Sequence, residues 1–282
     1  MPSPSARPEP VSSEAELRLW RCPDCAAAVL DSGAGLRCSG CRIEFGVDRE
    51  RRIYRLVSVK QSELVAKIDA AWTRHWEKSN SVFHSITALI RRYLTAPLVR
   101  GGLKDLIQGS GKTFLEAGAG TSETSVLVDL SRHASISMDI SEAVLRRSVN
   151  PQVKLQGDLF NLPLKDGSVD VIFNIGVHEH YSDAQNAVIL KGFLRVLKTG
   201  GRVVLFWPWY WAPLMILGRT INVVMSLLLW REYELYPNQH WELRRFAHGD
   251  RLMTQAGFTH VRHYLSVVDL CSMMVLEYEK RV

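Results

Sequence analysis

The chain has 282 residues, 46% of them hydrophobic and 23% charged, which is enough to bury a full α/β core and still carry a small appendage. Its formal net charge is +6, from 35 Lys and Arg against 29 Asp and Glu. So mild an imbalance permits an anionic partner but excludes any argument that charge alone demands one, because a solvated basic surface gives the same count.

In chain order, the N-terminus Met1-Pro-Ser-Pro-Ser-Ala-Arg-Pro-Glu-Pro is proline-rich and has no apolar run. That predicts a disordered tail over residues 1–15 and no secretion signal, hence a cytoplasmic protein. Two C-x-x-C knuckles follow, Cys22-Pro-Asp-Cys25 and Cys38-Ser-Gly-Cys41. Their spacing lets four thiolates converge tetrahedrally on zinc, with Gly40 easing the second turn. Four sulfur ligands leave no place for water, so the metal is expected to be structural. A disulfide pair would need an oxidising compartment, which the missing leader disfavours. The module is expected to span residues 16–60, ending in a short basic sheet from Glu44 through Arg49, Arg51, Arg52 and Arg55. Such a surface can touch a phosphate backbone, or its arginines can be paired with Asp48 and Glu50 or simply solvated.

From Gln61 to about Ile107 the pattern is helical: Leu64, Val65, Ile68, Ala71, Trp72 and Trp76 recur at i, i+3, i+4, as do Phe83, Ile86, Ile90 and Leu94. Residues 61–110 thus form a helical cap. Then Phe114-Leu-Glu-Ala-Gly-Ala-Gly-Thr-Ser-Glu-Thr-Ser125 reads as a strand ending in an acidic residue and a Gly-x-Gly turn that opens a helix. Gly118 and Gly120 allow a tight turn and close backbone approach to a ligand. A second strand, Ala134 to Met138, ends in Asp139, at the spacing where an open α/β sheet sets a carboxylate against a ribose. Strands at Val153–Gln156, ending in Gly157-Asp158, and at Val169–Asn174 continue the alternation. Helices are predicted from Ser141, as a cap, and from Asp183 to Leu197 with a stop at Gly200-Gly201. Arg202–Phe206 is a fifth strand, Asp250–Ala256 a helix, and Thr259–Leu265 and Met273–Tyr278 the closing strands. Cys271, in that late apolar stretch, reads as a core residue.

Between strand five and the last helix lies an insertion, residues 207–246. Trp207-Pro-Trp-Tyr-Trp211 leads into Leu214–Trp230, apolar nearly all round except for Arg219, Thr220, Asn222 and Ser226. At 1.5 Å per residue its helix reaches roughly 25 Å, short of a bilayer core, and a central arginine makes spanning costly. A lid over an apolar substrate, an interfacial helix on a membrane through residues 207–230, and a dimer contact all remain open.

Taken together, Glu116-Ala-Gly-Ala-Gly-Thr121, Met138-Asp-Ile-Ser141, Gly157-Asp-Leu-Phe-Asn-Leu-Pro-Leu-Lys-Asp-Gly-Ser-Val-Asp170, Val177-His-Glu-His180 and Phe193-Leu-Arg-Val-Leu-Lys-Thr-Gly-Gly-Arg-Val-Val-Leu205 resemble the class I S-adenosylmethionine-dependent methyltransferases, of the ubiquinone/menaquinone methyltransferase-like group. Ser122 departs from that pattern, standing where the family usually has a third glycine. The resemblance implies a doubly wound, seven-stranded Rossmann-like α/β sheet over residues 61–282, its last two strands forming an antiparallel edge hairpin. It implies S-adenosylmethionine as cofactor, held by Glu116, Ala117, Gly118, Ala119, Gly120, Asp139, Ile140, Asp158, Leu159 and Asn174. Glu116 would orient the turn and receive the amino group, Asp139 the ribose hydroxyls, Asp158 with the Leu159 amide the adenine edge, and Asn174 with Gly176 the floor near the sulfonium. In the family, helices before the first strand close over the cofactor, so Trp72, Trp76 and Phe83 are pocket candidates as well as plain core. The N-terminal ribbon is similar to those of some ribosomal RNA guanine methyltransferases and of many bacterial methyltransferases.

Methyl transfer from a sulfonium leaves no group needing a proton, so a base is required only to deprotonate an oxygen or carbon acceptor. His178 and His180 are the candidate bases, with His240 a weaker one from the substrate side. After strand four there is neither the Asn/Asp-Pro-Pro-Tyr/Phe of exocyclic-amine methyltransferases nor a Pro-Cys nucleophile; the chain reads Asn174-Ile-Gly-Val. A small-molecule or lipid-like acceptor is therefore expected first. RNA methylated at a ring nitrogen and gripped by the ribbon is the alternative, and a non-catalytic zinc-ribbon adaptor on the same scaffold is a second.

Overall fold

The computed structural model describes residues 13–61, 63, 65–67, 69–70, 89–148, 153–230 and 242–281. The terminal tail up to residue 12, the expected stripe residues Trp72, Trp76 and Phe83, and His240 lie outside the described residues.

Three short antiparallel strands come first: β1 (Val29–Asp31), β2 (Leu36–Cys38) and β3 (Glu44–Phe45). Nine strands form the main sheet: β4 (Val47–Asp48), β5 (Ile53–Arg55), β6 (Thr113–Ala117), β7 (Ala134–Asp139), β8 (Val153–Gln156), β9 (Val169–Ile175), β10 (Leu197–Pro208), β11 (Thr259–Leu265) and β12 (Met273–Glu279). Their order is β11-β12-β10-β9-β6-β7-β8-β5-β4. From β10 to β5 neighbours run parallel, while β12 is antiparallel to both β10 and β11 and β4 is antiparallel to β5. The seven strands read from the sequence are therefore present, and two more extend the sheet. Ile53, Tyr54 and Arg55 pair with Lys154, Leu155 and Gln156, so the ribbon's last hairpin adds to the methyltransferase-like sheet at its β8 edge.

Period-two burial explains why these runs are strands. Leu115, Ala117, Ile136, Met138, Leu155, Ile172, Val203 and Leu205 face one way, into a core shared with Trp20, Leu36 and Phe45 of the ribbon. Phe114, Val171, Phe173, Val204 and Phe206 face the other, against helix α2 (Ala96–Leu103). Strands covered on both faces lose the polar alternation of a half-exposed sheet. The order in which strands are added reverses about β6: β7 and β8 lie on one side of it, β9 and β10 on the other. That switch point, at the carboxyl ends of β6 and β9, is where open α/β sheets take ligands.

Helix α1 (Ser13–Leu17) begins the described chain. Helix α3 (Glu142–Arg147) starts at Ser141, whose Oγ accepts from the Val144 amide, as its sequence predicts. Helix α4 (Asp183–Val196) has a full capping box from Ser182 and Gln185. It ends without passing through the glycines, because Leu197 already pairs with Val169. The strand then shifts register between Leu197 and Arg202, which absorbs Gly200 at φ 77°. Helix α5 (Pro213–Leu229) occupies the insertion, and α6 (Phe246–Ala256) starts four residues before its predicted Asp250. Gly249 lies inside α6 for packing reasons, since a Cβ there would sit 2.5 Å from Leu276 Cδ2.

Candidate active site

The loop after β6 is shaped by glycine. Gly118 has φ 72° and Gly120 φ 53°, a region costly for other residues. The amides of Gly118 and Ala119 both donate to the Met138 carbonyl at 2.8 Å, fastening the turn to the end of β7. A Cβ on Gly118 would meet Val177 Cγ2 at 2.7 Å, whereas one on Gly120 would meet nothing within 4 Å. Ser122 itself adopts a left-handed conformation, φ 55°, and its Oγ contacts Ser137 Oγ at 3.2 Å.

Three acidic groups read from the sequence converge on this edge. Glu116, 4% exposed, accepts from Ser125 Oγ at 2.6 Å and Ser137 Oγ at 3.4 Å, which ties the first turn of the loop helix down to β6 and β7. Burial pushes its carboxyl up to about 7 against those hydroxyls. Asp139 accepts from the Gly120 amide at 2.9 Å through Oδ2 and from the Ser141 amide at 3.0 Å through Oδ1. Burial raises its pKa too, with the amides opposing. A carboxylate has about four acceptor positions, so one amide on each oxygen leaves capacity for a vicinal diol. Asp158 accepts from the Phe160 amide at 2.9 Å, and burial again raises it. Between them, the Ile140 carbonyl accepts from Gln156 Nε2 at 3.2 Å, and Leu159 is buried. Asn174, 1% exposed, has an Nδ2 with no hydrogen-bond partner among the described residues. Two glycine backbones, an open cradle at Gly120, spare carboxylate capacity and an orphaned buried donor are what a nucleoside-bearing amino-acid cofactor requires, so the residues fit S-adenosylmethionine.

Three contributors were not read from the sequence. The Tyr181 hydroxyl is pushed up to about 12 by burial and then by the carboxylates of Asp139, Asp158 and Glu179, so it stands among them. Its ring meets Phe160 edge-on at 5.3 Å. Glu179 is buried beneath Gly176, and burial pushes its carboxyl up to about 8, helped by nearby Glu242. Asp69 accepts from Ser141 Oγ and adds its charge to the surroundings of Asp139. An aromatic and an acid flanking His180 were the available signals, but burial of a carboxyl cannot be read from its neighbours in sequence.

The two histidines part company. His178 is 1% exposed; its Nδ1 shares a 2.6 Å hydrogen bond with Asn186 Oδ1, and its ring stacks on Trp207 at 4.9 Å. Burial lowers its pKa to about 4. His180 opens to solvent, its Nε2 3.9 Å from Glu179 Oε1.

The cysteines come together as their spacing predicts. The four Sγ atoms lie within 4.8 Å of one another, with Cys22–Cys41 at 3.6 Å and Cys25–Cys38 at 3.3 Å. Tetrahedral zinc with Zn–S near 2.3 Å needs sulfurs about 3.8 Å apart, so this donor set fits the ion. A Cβ on Gly40 would meet Ala27 Cβ at 2.9 Å and Cys25 Sγ at 3.3 Å. The first knuckle also touches the candidate cofactor site: Asn161 Nδ2 donates to the Pro23 carbonyl at 2.7 Å, while the Asn161 amide donates to the Asp158 carbonyl at 3.1 Å. Five of the ribbon arginines pair with carboxylates as follows: Arg37 with Glu44, Arg49 with Asp31, Arg51 with Asp48, Arg52 with Glu16 and Arg55 with Glu142.

Comparison with known proteins agrees with this geometry. Residues 115–205 match the family model of the methyltransferase domain. A probable S-adenosylmethionine-dependent methyltransferase of Mycolicibacterium smegmatis is 38% identical over 96 residues, a segment that covers 33% of this chain and 36% of that relative. Among solved structures, magnesium protoporphyrin IX methyltransferase from Synechocystis with bound S-adenosylhomocysteine aligns at TM-score 0.55 and 16% identity, over 78% of this chain and 99% of that one. A Thermotoga maritima S-adenosylmethionine-dependent methyltransferase, possible histamine N-methyltransferase, aligns at TM-score 0.50 and 17% identity, over 70% of this chain and 94% of that one. The structural likenesses concern the fold. Residues 115–205 are thus similar to the methyltransferase domain of S-adenosylmethionine-dependent enzymes, and they form the centre of a Rossmann-like α/β fold with a mixed sheet.

Proposed function

We propose that the protein transfers a methyl group from S-adenosylmethionine to an apolar small-molecule or lipid-like acceptor presented at a surface. The cofactor, when bound, supplies the electrophilic methyl group. Glu116 anchors the loop and faces the cofactor's amino group, Gly118 and Gly120 let the backbone pass beside it, and Asp139 takes the ribose hydroxyls. Asp158 and the Leu159 amide would read the adenine edge, and Asn174 would form part of the floor near the sulfonium. Tyr181 closes over the carboxylates and helps exclude water. Where the acceptor must lose a proton, His180 is the base, because His178 is enclosed and held by Asn186. Residues 16–60 form a ribbon that holds a structural zinc ion.

The observation that carries the acceptor class is α5. Ile216, Leu217, Val223, Val224, Leu227 and Leu228 are all exposed, Leu227 by 71%. At 100° per residue they fall on one face about 140° wide, interrupted only by Thr220, which bonds back to the Ile216 carbonyl. Arg219 instead turns inward, its Nη1 3.0 Å from Glu242 and its guanidinium over the Tyr210 ring at 4.0 Å. An apolar face turned outward with its cation tucked beneath suits lying on a lipid surface. Among the described residues no helix is long and apolar enough to cross a membrane. The RNA reading draws less support, since Arg37, Arg49, Arg51, Arg52 and Arg55 of the ribbon are already matched by carboxylates.

The test is partition onto phospholipid vesicles, followed by assay of radiolabelled methyl transfer into an organic extract. Wild type should sediment with vesicles and Leu227→Ser/Leu228→Ser should not. Methyl incorporation into RNA and none into the lipid extract would overturn the acceptor class.

A further inference from the structure

A second cluster of metal-ligating side chains lies away from both sites described so far. Asp250 of α6 and His260 and His263 of β11 each bring one donor atom to within 4.8 Å of the others. His260 and His263 are three apart, and in a regular strand residues three apart face opposite sides. The pairing of β11 with β12 shifts register between His260, opposite Tyr278, and Arg262, opposite Glu277. One extra residue, Val261, therefore sits in the bulge, and it turns both imidazoles to the same face. Bulges commonly re-aim a side chain in this way.

The cluster is held from outside as well. Phe246 stacks on the His263 ring at 4.2 Å and 10°, and the Tyr278 hydroxyl donates to Asp250 Oδ1. His263 Nδ1 lies 3.1 Å from Asp250 Oδ1 and 3.3 Å from His260 Nε2. A single proton on Nδ1 can serve only one of those two neighbours. A cation between them serves all three groups at once. A tetrahedral ion with metal–nitrogen bonds near 2.05 Å separates its ligands by about 3.3 Å, close to the distances His263 Nδ1 keeps from Asp250 and His260.

We propose that Asp250, His260 and His263 form a binding site for a divalent transition metal of the zinc type. Two imidazoles and a carboxylate suit zinc, nickel or copper better than magnesium or calcium, which prefer all-oxygen shells. His260 is exposed, so the remaining coordination position opens to water. His260 aligns through Tyr278 with Val203, and His263 through Leu276 with Leu205, so the cluster lies at mid-sheet, set apart from Gly118 and Asp139 by the strands between β11 and β6. The bound ion clasps α6 to the edge strand and takes no part in methyl transfer.

The test uses the full chain dialysed to equilibrium against zinc, comparing wild type with His260→Ala, a change at an exposed position. Wild type should bind one ion more per chain than the variant, and zinc should raise its melting temperature by several degrees more. Cobalt separates this site from the ribbon: the four-cysteine site gives intense thiolate charge-transfer bands, and His260→Ala should lose only the weaker d–d absorption. Equal zinc stoichiometry and equal zinc-dependent melting shifts in the two proteins would overturn the proposal and leave the cluster a metal-free hydrogen-bond network.

Discussion

Alanine at Gly118 and at Gly120 should fail for different reasons. Both glycines have positive φ, so either alanine pays about 1 kcal/mol or somewhat more for a left-handed backbone. At Gly118 the new Cβ would also stand 2.7 Å from Val177 Cγ2, a buried overpacking of roughly 1–3 kcal/mol. Gly118→Ala should thus lose about 2–4 kcal/mol against about 1 for Gly120→Ala, which at about 2–4 °C per kcal/mol separates their melting temperatures by several degrees. Gly120 has open space beside it, so its Cβ would intrude on the ligand and leave the fold alone. Gly120→Ala should then bind S-adenosylhomocysteine at least tenfold more weakly while melting only about 2–4 °C below wild type. Adding Val177→Ala removes the atom that Gly118→Ala meets, and a double-mutant cycle by thermal and urea unfolding should return a favourable coupling of at least 1 kcal/mol. Coupling under about 0.5 kcal/mol, or indistinguishable melting of the two single variants, would refute the steric account.

The remaining predictions concern protons, zinc and the paired arginines. Burial holds the Glu116 carboxyl near 7, so below that pH it is protonated and a poor partner for an ammonium; affinity for S-adenosylmethionine should climb as pH rises through about 7 and flatten above it. In Glu116→Gln, calorimetry should find that rise gone. His178 has its folded pKa depressed from 6.5 to about 4, so its contribution to stability is present above 6.5 and is lost as pH falls towards 4. Relative to His178→Asn, wild type should lose up to about 3 kcal/mol more over that window in urea unfolding. Through the Asn161–Pro23 contact, chelating the ribbon's zinc should weaken S-adenosylhomocysteine binding several-fold, and Asn161→Ala should do so with zinc retained; unchanged affinity in both would separate ribbon from site. RNA association, measured by filter binding, should be weak, with a shallow salt dependence, because Arg37, Arg49, Arg51, Arg52 and Arg55 already face carboxylates.

What could be read in advance was whatever depends on local spacing. The strand–glycine–helix run from Phe114, the carboxylates at Asp139 and Asp158 and the four cysteines are short-range patterns, and the structure assembles each of them. Long-range pairing was not readable: Ile53–Arg55 looked like the edge of a basic ribbon, yet Tyr54 is buried beside Leu155. Nor was register, since Leu197 reads as helix by its neighbours and becomes strand by pairing with Val169. Gly249 looks like a helix breaker until the closeness of Leu276 is known. Tyr181 and Glu179 join the site through burial and proximity to groups far away in sequence, and the bulge that aligns His260 with His263 exists only against β12.

The central claim is that the edge built by Gly118, Gly120 and Asp139 binds S-adenosylmethionine, and calorimetric titration of the folded protein with that cofactor tests it most directly. Wild type should bind with micromolar affinity and Asp139→Ala, melting near wild type, should bind not at all. Absence of binding by the folded, zinc-loaded wild type, or equal binding by the variant, would contradict it.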